Sequence, residues 1–410
     1  MKKINYISIA VFMISIMTTQ AQNSYLDQYI SIALENHFGV QAAAQNIQVQ
    51  AAGKKEIQGE GISSFDVMYG YGAMPIETKN GPINHKVSAG VMFPWFGTRN
   101  QKYEVVNQKV AIAEADKKGT ENVVKYKVRA LYFKLLQNSK DLVSASENVA
   151  ILNSFESVAY TQYENSKGSM VDILRVQMEI EEAKNKVKTL QQDSLLLHQN
   201  FYLLLNKDIE SVVLVDSISF FKEEASIDEN PMLKSLEAMQ NMYSEEIKAV
   251  QKSSAPQIKL SVDYSILGTV QGVSSDNSGK NAIMPMVGLS IPLFNAKKYS
   301  GKQEQLRLSN QEVALRKEDT KQQLQIEYLT AQNQYDDAKR EFELISKQLI
   351  QIDQAIQIQQ EAYSVANSQG NAFVELLRLQ LQKLGFQFRQ HNSKATELEA
   401  LAKINYITGL

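Results

Sequence analysis

The residues best suited to chemistry are few in this 410-residue chain and stand far apart in its sequence. Zinc sites usually take ligands that are a few residues apart, and no such spacing links the histidines, which are His37, His85, His198 and His391. Cysteine is absent, so thiol chemistry and disulfide bridges are excluded. Serine, histidine and aspartate occur without a nucleophile motif, and there is no phosphate-binding loop. We therefore predict that the chain is not an enzyme and has no catalytic residues, cofactor or metal site.

A second set of candidate ligands consists of methionines in segments that alternate between apolar and polar residues. These are Met68, Met92, Met284 and Met286. They occupy the polar positions of the alternation, where thioether sulfurs could bind a soft transition metal in transit. Methionine is more often a flexible packing residue. We favour packing, and the metal interpretation stays open.

The composition is typical of a folded, exported protein. Hydrophobic residues make up 44% of the chain, which excludes wholesale disorder, and the formal net charge of −2 argues against a nucleic-acid partner. Residues 1–21 begin with Lys2 and Lys3, continue with an apolar run and end in Thr19-Gln20-Ala21. This pattern predicts a signal peptide that is cleaved before Gln22. Because the apolar run is short for a spanning helix, a retained anchor is the less favoured alternative.

Two segments have the period of two that is typical of strands with one apolar face. In residues 63–95 the apolar positions are Phe65, Val67, Tyr69, Tyr71 and Ala73, then Val87, Ala89, Val91, Phe93 and Trp95. In residues 257–294 they are Ile258, Leu260, Val262, Tyr264 and Ile266, then Ile283, Val287, Leu289 and Ile291. Each segment predicts a β-hairpin. The apolar face, with aromatics near both ends, fits either a lipid-facing sheet or the core of a water-soluble sandwich.

Long proline-free runs predict two helical hairpins, at residues 98–207 and 296–407. The stretch from Lys302 to Gln369 has no glycine or proline, and its apolar residues alternate steps of four and three. This heptad seam comprises Leu324, Tyr328, Ala331, Tyr335, Ala338, Phe342, Ile345, Leu349, Ile352 and Ile356. Such a long helix needs partner helices along its length. Gly168 and Gly370 mark the two chain reversals.

The order of elements indicates an internal duplication. The strand-exit sequence Phe93-Pro94-Trp95-Phe96-Gly97 recurs as Ile291-Pro292-Leu293-Phe294-Asn295, and the residues after Gly168 resemble those after Gly370 with one residue inserted. We predict a first repeat at 22–225 and a second at 226–410. Each repeat contains a helix, a β-hairpin and a helical hairpin, and a connector at 208–225 ends the first.

These features together resemble the TolC-type outer membrane efflux protein family. The resemblance rests on the strand-exit sequences, the two reversals and the order of elements, and it covers nearly all of the mature chain. It implies a mainly α fold with a membrane β-barrel portion, in which a homotrimer gives four strands per protomer to one twelve-stranded barrel, continued by an α-barrel of helical hairpins. It further implies an exit duct in the outer membrane that extends into the periplasm, surrounded by outer membrane lipid and partnered by a periplasmic adaptor and an inner-membrane efflux pump.

The same resemblance assigns roles to the reversals. Adaptor docking is expected at the tips, at Gly168, Met170, Val171, Gly370, Phe373 and Val374. A periplasmic gate is expected at Asp172, Arg175, Glu375 and Arg378. Arg378 stands where the family commonly has a second acidic residue, so threefold rings of Glu375 and Arg378 would pair between protomers instead of forming an acidic ring. Ordinary solvated pairs on one helix are the alternative.

Two other classes of protein remain open on the sequence. One is a structural or adhesive coiled-coil protein of the envelope, which would not need amphipathic strands or duplicated tips. The other is a periplasmic adaptor, which would have one helical hairpin instead of two. The transported substrate is not identified, although the short mature chain slightly favours a cation-pump partner over a drug pump.

Overall fold

The computed structural model describes residues 24–59, 64–166, 168–209, 211–215, 226–269, 278–291, 295–365 and 371–410. The predicted signal peptide at 1–21, residues 216–225 of the predicted connector, residues 292–294 of the second strand-exit sequence and Gly370 lie outside these ranges. Within them the chain is mainly helical with four antiparallel strands. The predicted fold class is confirmed at this level.

The described elements follow the predicted order, with each β-hairpin preceded by helix and followed by a helical hairpin. The helices are α1 (Ser24–Asn36), α2 (Phe38–Gly59), α3 (Thr98–Glu164), α4 (Met170–Leu205), α5 (Pro231–Ser253), α6 (Ala296–Val365) and α7 (Asn371–Thr408). The strands are β1 (Ser64–Ile76), β2 (Ile83–Phe93), β3 (Gln257–Leu267) and β4 (Ala282–Ser290).

The first helical segment is interrupted at His37, where the sequence pattern predicts continuous helix. The backbone N–H of Gly39 donates to Nδ1 of His37 at 3.0 Å, and the N–H of His37 donates to the Ala33 carbonyl at 2.8 Å. The His37 imidazole therefore accepts from an amide at the start of α2, and the backbone N–H of the same residue donates the last hydrogen bond of α1. Apolar periodicity alone does not reveal such a cap.

The chain divides into two compact units, and the first comprises residues up to 41, 118–230 and 321–410. Its core contains a ring cluster in which Tyr29 lies edge-on to Phe201, with ring centroids 5.3 Å apart. Tyr29 accepts a hydrogen bond from the Val213 amide at 2.8 Å, and Tyr132 accepts one from the Val215 amide at 2.9 Å. These two hydroxyls hold the described part of the connector against the helices.

The predicted heptad seam of α6 is confirmed by burial. The alternate members Leu324, Ala331, Ala338, Ile345 and Ile352 are all buried. In α3, Asn138 is a buried polar residue whose side-chain amide donates to the Leu190 carbonyl of α4 at 3.1 Å. The buried Asn138 amide nitrogen therefore has a hydrogen-bond partner, as buried polar groups usually do.

The second unit, residues 42–117 and 231–320, contains the four-stranded sheet in the order β1-β2-β3-β4. The two predicted hairpins join because β2 pairs with β3, with Val87 opposite Tyr264 and Gly90 opposite Ser261. Beside the sheet, α5 is tied to α3 by a hydrogen bond from the Ser235 hydroxyl to Asp116 at 2.6 Å. The strands at the two edges of the sheet are β1 and β4.

A glycine is required at the β1–β2 turn. Gly81 has φ +127, and a Cβ atom at this position would lie 1.8 Å from the Gly268 carbonyl oxygen. We expect Gly81→Ala to destabilise the sheet by about 1–3 kcal/mol or more, because both the backbone conformation and the close approach are lost. Heat denaturation of the detergent-purified protein would measure the change. Gly70→Ala is the control, since nothing lies within 4 Å of a Cβ there, and equal losses in both variants would contradict the prediction.

A carboxylate between α5 and α3 gives the second unit a pH dependence. Lys248, at 2.7 Å, and Gln101 both donate to Glu245, and these hydrogen bonds hold the pKa of Glu245 below its usual range. The interaction therefore stabilises the fold above the ordinary glutamate pKa of about 4.3 and is lost as the pH falls through the lowered value. We expect Glu245→Gln to make thermal stability less dependent on pH in this acid range, by a small amount because the pair lies near the surface. Glu246→Gln is the control, and the same pH profile for both variants would contradict the assignment.

Candidate functional site

The α3–α4 reversal is a tight turn built by Gly168 and Ser169. The N–H of Gly168 donates to the Gln162 carbonyl at 3.0 Å, and a Cβ atom on Gly168 would lie 3.0 Å from the Gln162 side chain. Ser169 caps α4 by accepting a hydrogen bond from the Val171 amide at 3.1 Å. Asp172 lies in the first turn, where a negative charge favours the helix N-terminus. The predicted reversal at Gly168 is therefore a capped helical tip.

The two helical hairpins share a hydrophobic core near this tip. Phe155 of α3 lies 6.0 Å from Phe373 of α7, ring centroid to centroid, in an edge-to-face arrangement. Phe373 and Leu377 belong to one cluster with Ile173 and Val176 of α4. The beginnings of α4 and α7 therefore lie together in the first unit.

The predicted docking residues differ in their exposure. Met170 and Val171 are 47% and 59% exposed and present apolar side chains at the tip. Val374 is partly buried. Phe373 is only 5% exposed, so its ring supports the tip core instead of contributing to the predicted docking surface.

The predicted gate residues form two ion pairs, each within one helix. Arg378 lies 2.9 Å from Glu375 on α7, and Arg175 lies 3.5 Å from Asp172 on α4, nitrogen to oxygen. The Arg378 side chain is 71% exposed. Within the one chain both pairs have the i,i+3 spacing of the alternative, and pairing of Glu375 with Arg378 between protomers stays a prediction. Such pairs contribute about 0.2–1 kcal/mol each.

The sheet of the second unit has an exposed apolar face. Its side chains include Phe65, Val67, Tyr69, Leu260, Val262, Ile283, Val287 and Leu289. At one end of this face the Tyr69 hydroxyl and Nδ1 of His85 are 2.9 Å apart, and the Tyr71 ring also contacts the imidazole. His85 therefore belongs to an aromatic cluster on the apolar face. Sequence spacing did not identify this cluster because it depends on the β1–β2 register.

The opposite face of the sheet is polar. Lys86 of β2 forms an ion pair with Asp263 of β3, whose side chain is only 1% exposed. Met68 of β1 and Met284 of β4 lie in the register row of Asp263 and therefore on this polar face. The predicted polar phase of these methionines is confirmed.

A buried pair that the sequence did not predict joins α3 and α7 in the first unit. Nδ1 of His391 lies 2.7 Å from Asp141 Oδ1, and both side chains are mostly buried. No group of three His, Asp or Glu side chains arranged for metal binding occurs in the described residues. His391 is thus a hydrogen-bonded packing residue there.

None of the helices in the described ranges is both long and apolar enough to span a membrane. The mean hydropathy of the chain is −0.29. Among the described residues, the strands carry exposed apolar side chains along one face of the sheet.

Comparison with solved structures places this fold among outer-membrane channels. The CusC channel matches with a TM-score of 0.74 and 15% identity, over 94% of this chain and 92% of that one. VceC of Vibrio cholerae matches with a TM-score of 0.72 and 13% identity, over 95% and 98% of the two chains. The open state of MtrE of Neisseria gonorrhoeae matches with a TM-score of 0.71 and 15% identity, over 94% and 89%. The chain therefore has the fold of outer-membrane channel proteins.

The family comparison points to the same class. Residues 224–369, most of the predicted second repeat, match the family model described as outer membrane efflux protein. No curated protein matches the chain. The resemblance to the outer membrane efflux protein family is confirmed.

Proposed function

We propose that this protein is the outer-membrane exit duct of a tripartite efflux system. It would conduct substrate passively from an inner-membrane pump and a periplasmic adaptor across the periplasm and the outer membrane. The observation that carries the proposal is the four-stranded sheet, which has an exposed apolar face opposite a polar face containing the Lys86–Asp263 pair. Lipid is the environment that suits the first face and an aqueous lumen suits the second.

Closure of the sheet requires more than one chain. The edge strands β1 and β4 would leave backbone groups unpaired in a lipid bilayer, which only a closed barrel avoids. Four strands are too few for a barrel, whereas three copies supply twelve. The homotrimer that the family resemblance implies would thus also pair the backbone groups of the edge strands. The barrel of this trimer would lie in the cell outer membrane.

The helical tips are the proposed docking surface for the adaptor. Met170 and Val171 supply exposed apolar area beside the capped turn at Gly168. We place the gate at the two intrahelical pairs, Asp172–Arg175 and Glu375–Arg378. A pair within one helix persists in both states, so these residues would favour closure only by exchanging partners between protomers. Such exposed pairs contribute about 0.2–1 kcal/mol each, which an adaptor can readily overcome.

Single-channel conductance in a planar bilayer tests this proposal, with the Glu375→Ala/Arg378→Ala variant measured beside the wild type. Small, flickering currents that become large and steady in the variant would support both the duct and the gate. Equal, fully open currents would support the duct and exclude this gate. A folded, oligomeric sample that never inserts would exclude the duct and favour a structural coiled-coil protein of the envelope.

A further inference from the structure

A cleft of about 480 Å³ lies in the second unit where strands give way to helices. We call it the junction cleft, and its walls include Trp95, Arg99, Lys102 and Lys252. Trp95 follows the end of β2, and Lys252 lies in the last turn of α5. Arg99 and Lys102 lie in the first turns of α3. The Thr98 hydroxyl donates to the Lys252 carbonyl at 3.4 Å, which connects the two helix ends that form the cleft.

The charge of the junction cleft is positive. Three cationic side chains line it against one carboxylate, that of Glu56. In the part of the chain that the structure describes, no carboxylate lies within ion-pair distance of Arg99 or Lys252. The Lys252 ammonium lies near Gly97, 4.0 Å from where a Cβ atom would be. Two of the cations that line the cleft, Arg99 and Lys252, therefore remain available to an anion.

The aromatic residues at the cleft indicate its depth in the membrane. Trp95 and Phe96 are exposed and lie edge-to-face, with ring centroids 5.8 Å apart. They come directly after the last residues of β2, where the apolar face of the sheet ends. Tryptophan and other aromatics are enriched at the level of lipid headgroups. If the sheet is the barrel that we propose, the cleft lies at the headgroups of the leaflet nearer the helices.

Basic residues also occur at the other junctions between helix and strand. Lys54 and Lys55 lie near the end of α2, before β1, and Lys297 and Lys298 lie in the first turn of α6, after β4. Clusters of basic residues beside a membrane segment attract anionic lipid, with about 1 kcal/mol for each Lys or Arg. The junction cleft is thus the concave part of a wider basic zone.

We propose that the junction cleft binds the headgroup of an anionic glycerophospholipid. Arg99 and Lys252 would contact its phosphate, and Trp95 and Phe96 would pack against the glycerol and the first carbons of an acyl chain. A free phosphate ion would use the two cations but not the aromatics, so the combination favours the lipid. This inference rests on the proposed function, because the barrel places the cleft at the membrane.

Trp95 is the only tryptophan in the sequence, so its fluorescence reports on this cleft alone. The experiment titrates the detergent-purified protein with phosphatidylglycerol that carries bromine near the headgroup end of its acyl chains, because bromine quenches tryptophan at short range. Phosphatidylcholine with the same brominated chains is the comparison lipid. We expect half-maximal quenching at about tenfold lower phosphatidylglycerol than phosphatidylcholine.

The charge-removing variant is Arg99→Gln/Lys252→Gln, and the matched control is Lys184→Gln/Lys188→Gln, which removes the same charge from an exposed face of α4. We expect the first variant to abolish the preference for phosphatidylglycerol and the control to retain it. Equal quenching by the two lipids in the wild type, or equal loss in both variants, would overturn the proposal. Inorganic phosphate that competes at concentrations as low as those of phosphatidylglycerol would overturn it in favour of a free-anion site, because the aromatics would then add nothing.

Conductance of the same preparations in phosphatidylcholine bilayers separates this proposal from the function. If the wild type conducts but shows no lipid preference, the headgroup site is excluded and the duct stands. If no preparation inserts, the duct itself is excluded. If Arg99→Gln/Lys252→Gln fails to fold, Glu56→Gln is the second variant. It removes the one carboxylate of the cleft and is expected to strengthen phosphatidylglycerol quenching, whereas no change or a weakening would contradict the site.

Discussion

Replacement of Val287 by arginine is expected to prevent assembly into the outer membrane, whereas the same replacement at the adjacent Met286 is expected to be tolerated. Val287 is 78% exposed on the apolar face of the sheet and lies close to the middle of β4. An arginine on the lipid face near the bilayer midplane destabilises a barrel by about 2–4 kcal/mol, so three copies in a trimer give roughly 6–12 kcal/mol. At Met286 the side chain would point to the polar face, beside Ser261.

The two variants differ by one position and add the same charge, so each controls for the other. The measurements are the amount of protein in the outer-membrane fraction and its heat-modifiable migration as a trimer. Loss of both in Val287→Arg, with both retained in Met286→Arg, is the expected result. If both variants assemble equally well, the apolar face does not meet lipid, and a water-soluble sandwich would be the better interpretation of the sheet.

The sequence predicted the faces of this sheet but not its internal contacts. A period of two is by itself enough to assign Val287 and Met286 to opposite faces. The ion pair between Lys86 and Asp263 could not be predicted in the same way, because it depends on the pairing of β2 with β3 across the two repeats. Periodicity determines the face of a residue, whereas its partner depends on register.

In the helices, too, the sequence predicted which residues are buried but not which specific side-chain contacts form. The heptad seam of α6 is confirmed because helical periodicity requires no knowledge of the partner helix. The break at His37 depends on one imidazole that accepts from the Gly39 amide, and the Asp141–His391 pair joins residues 250 positions apart. Neither leaves a periodic signal in the sequence.

Phe373 illustrates the limit of transferring a role by position. Gly370 lies outside the described residues, but Phe373 and Leu377 at the start of α7 pack in one cluster with Ile173 and Val176 at the start of α4. Whether a given side chain there is exposed depends on contacts across the two hairpins. Phe373 packs against Phe155, so the residue assigned to docking is a core residue of the tip.

Phe373→Ala is therefore expected to destabilise the tip. Met170→Ala is expected to weaken adaptor binding and to leave the stability of the tip unchanged. Loss of a buried phenylalanine typically lowers the free energy of unfolding by about 3–5 kcal/mol. Here the loss should be local, because the Phe155–Phe373 contact and its cluster lie at the ends of the helical hairpins. Hydrogen exchange at the ends of α3, α4 and α7 is the suitable measurement, since it detects local opening in an otherwise stable protein.

Met170 provides the matched comparison because it is 47% exposed at the same tip. Its truncation should change stability by less than about 0.5 kcal/mol, as is usual for a surface position. A fall in affinity for the adaptor with unchanged hydrogen exchange would identify Met170 as part of the docking surface. If Phe373→Ala left exchange at the tip unchanged while reducing adaptor affinity, the ring would have to leave the core to meet the adaptor. The assignment of Phe373 to the docking surface would then be correct for the assembled state.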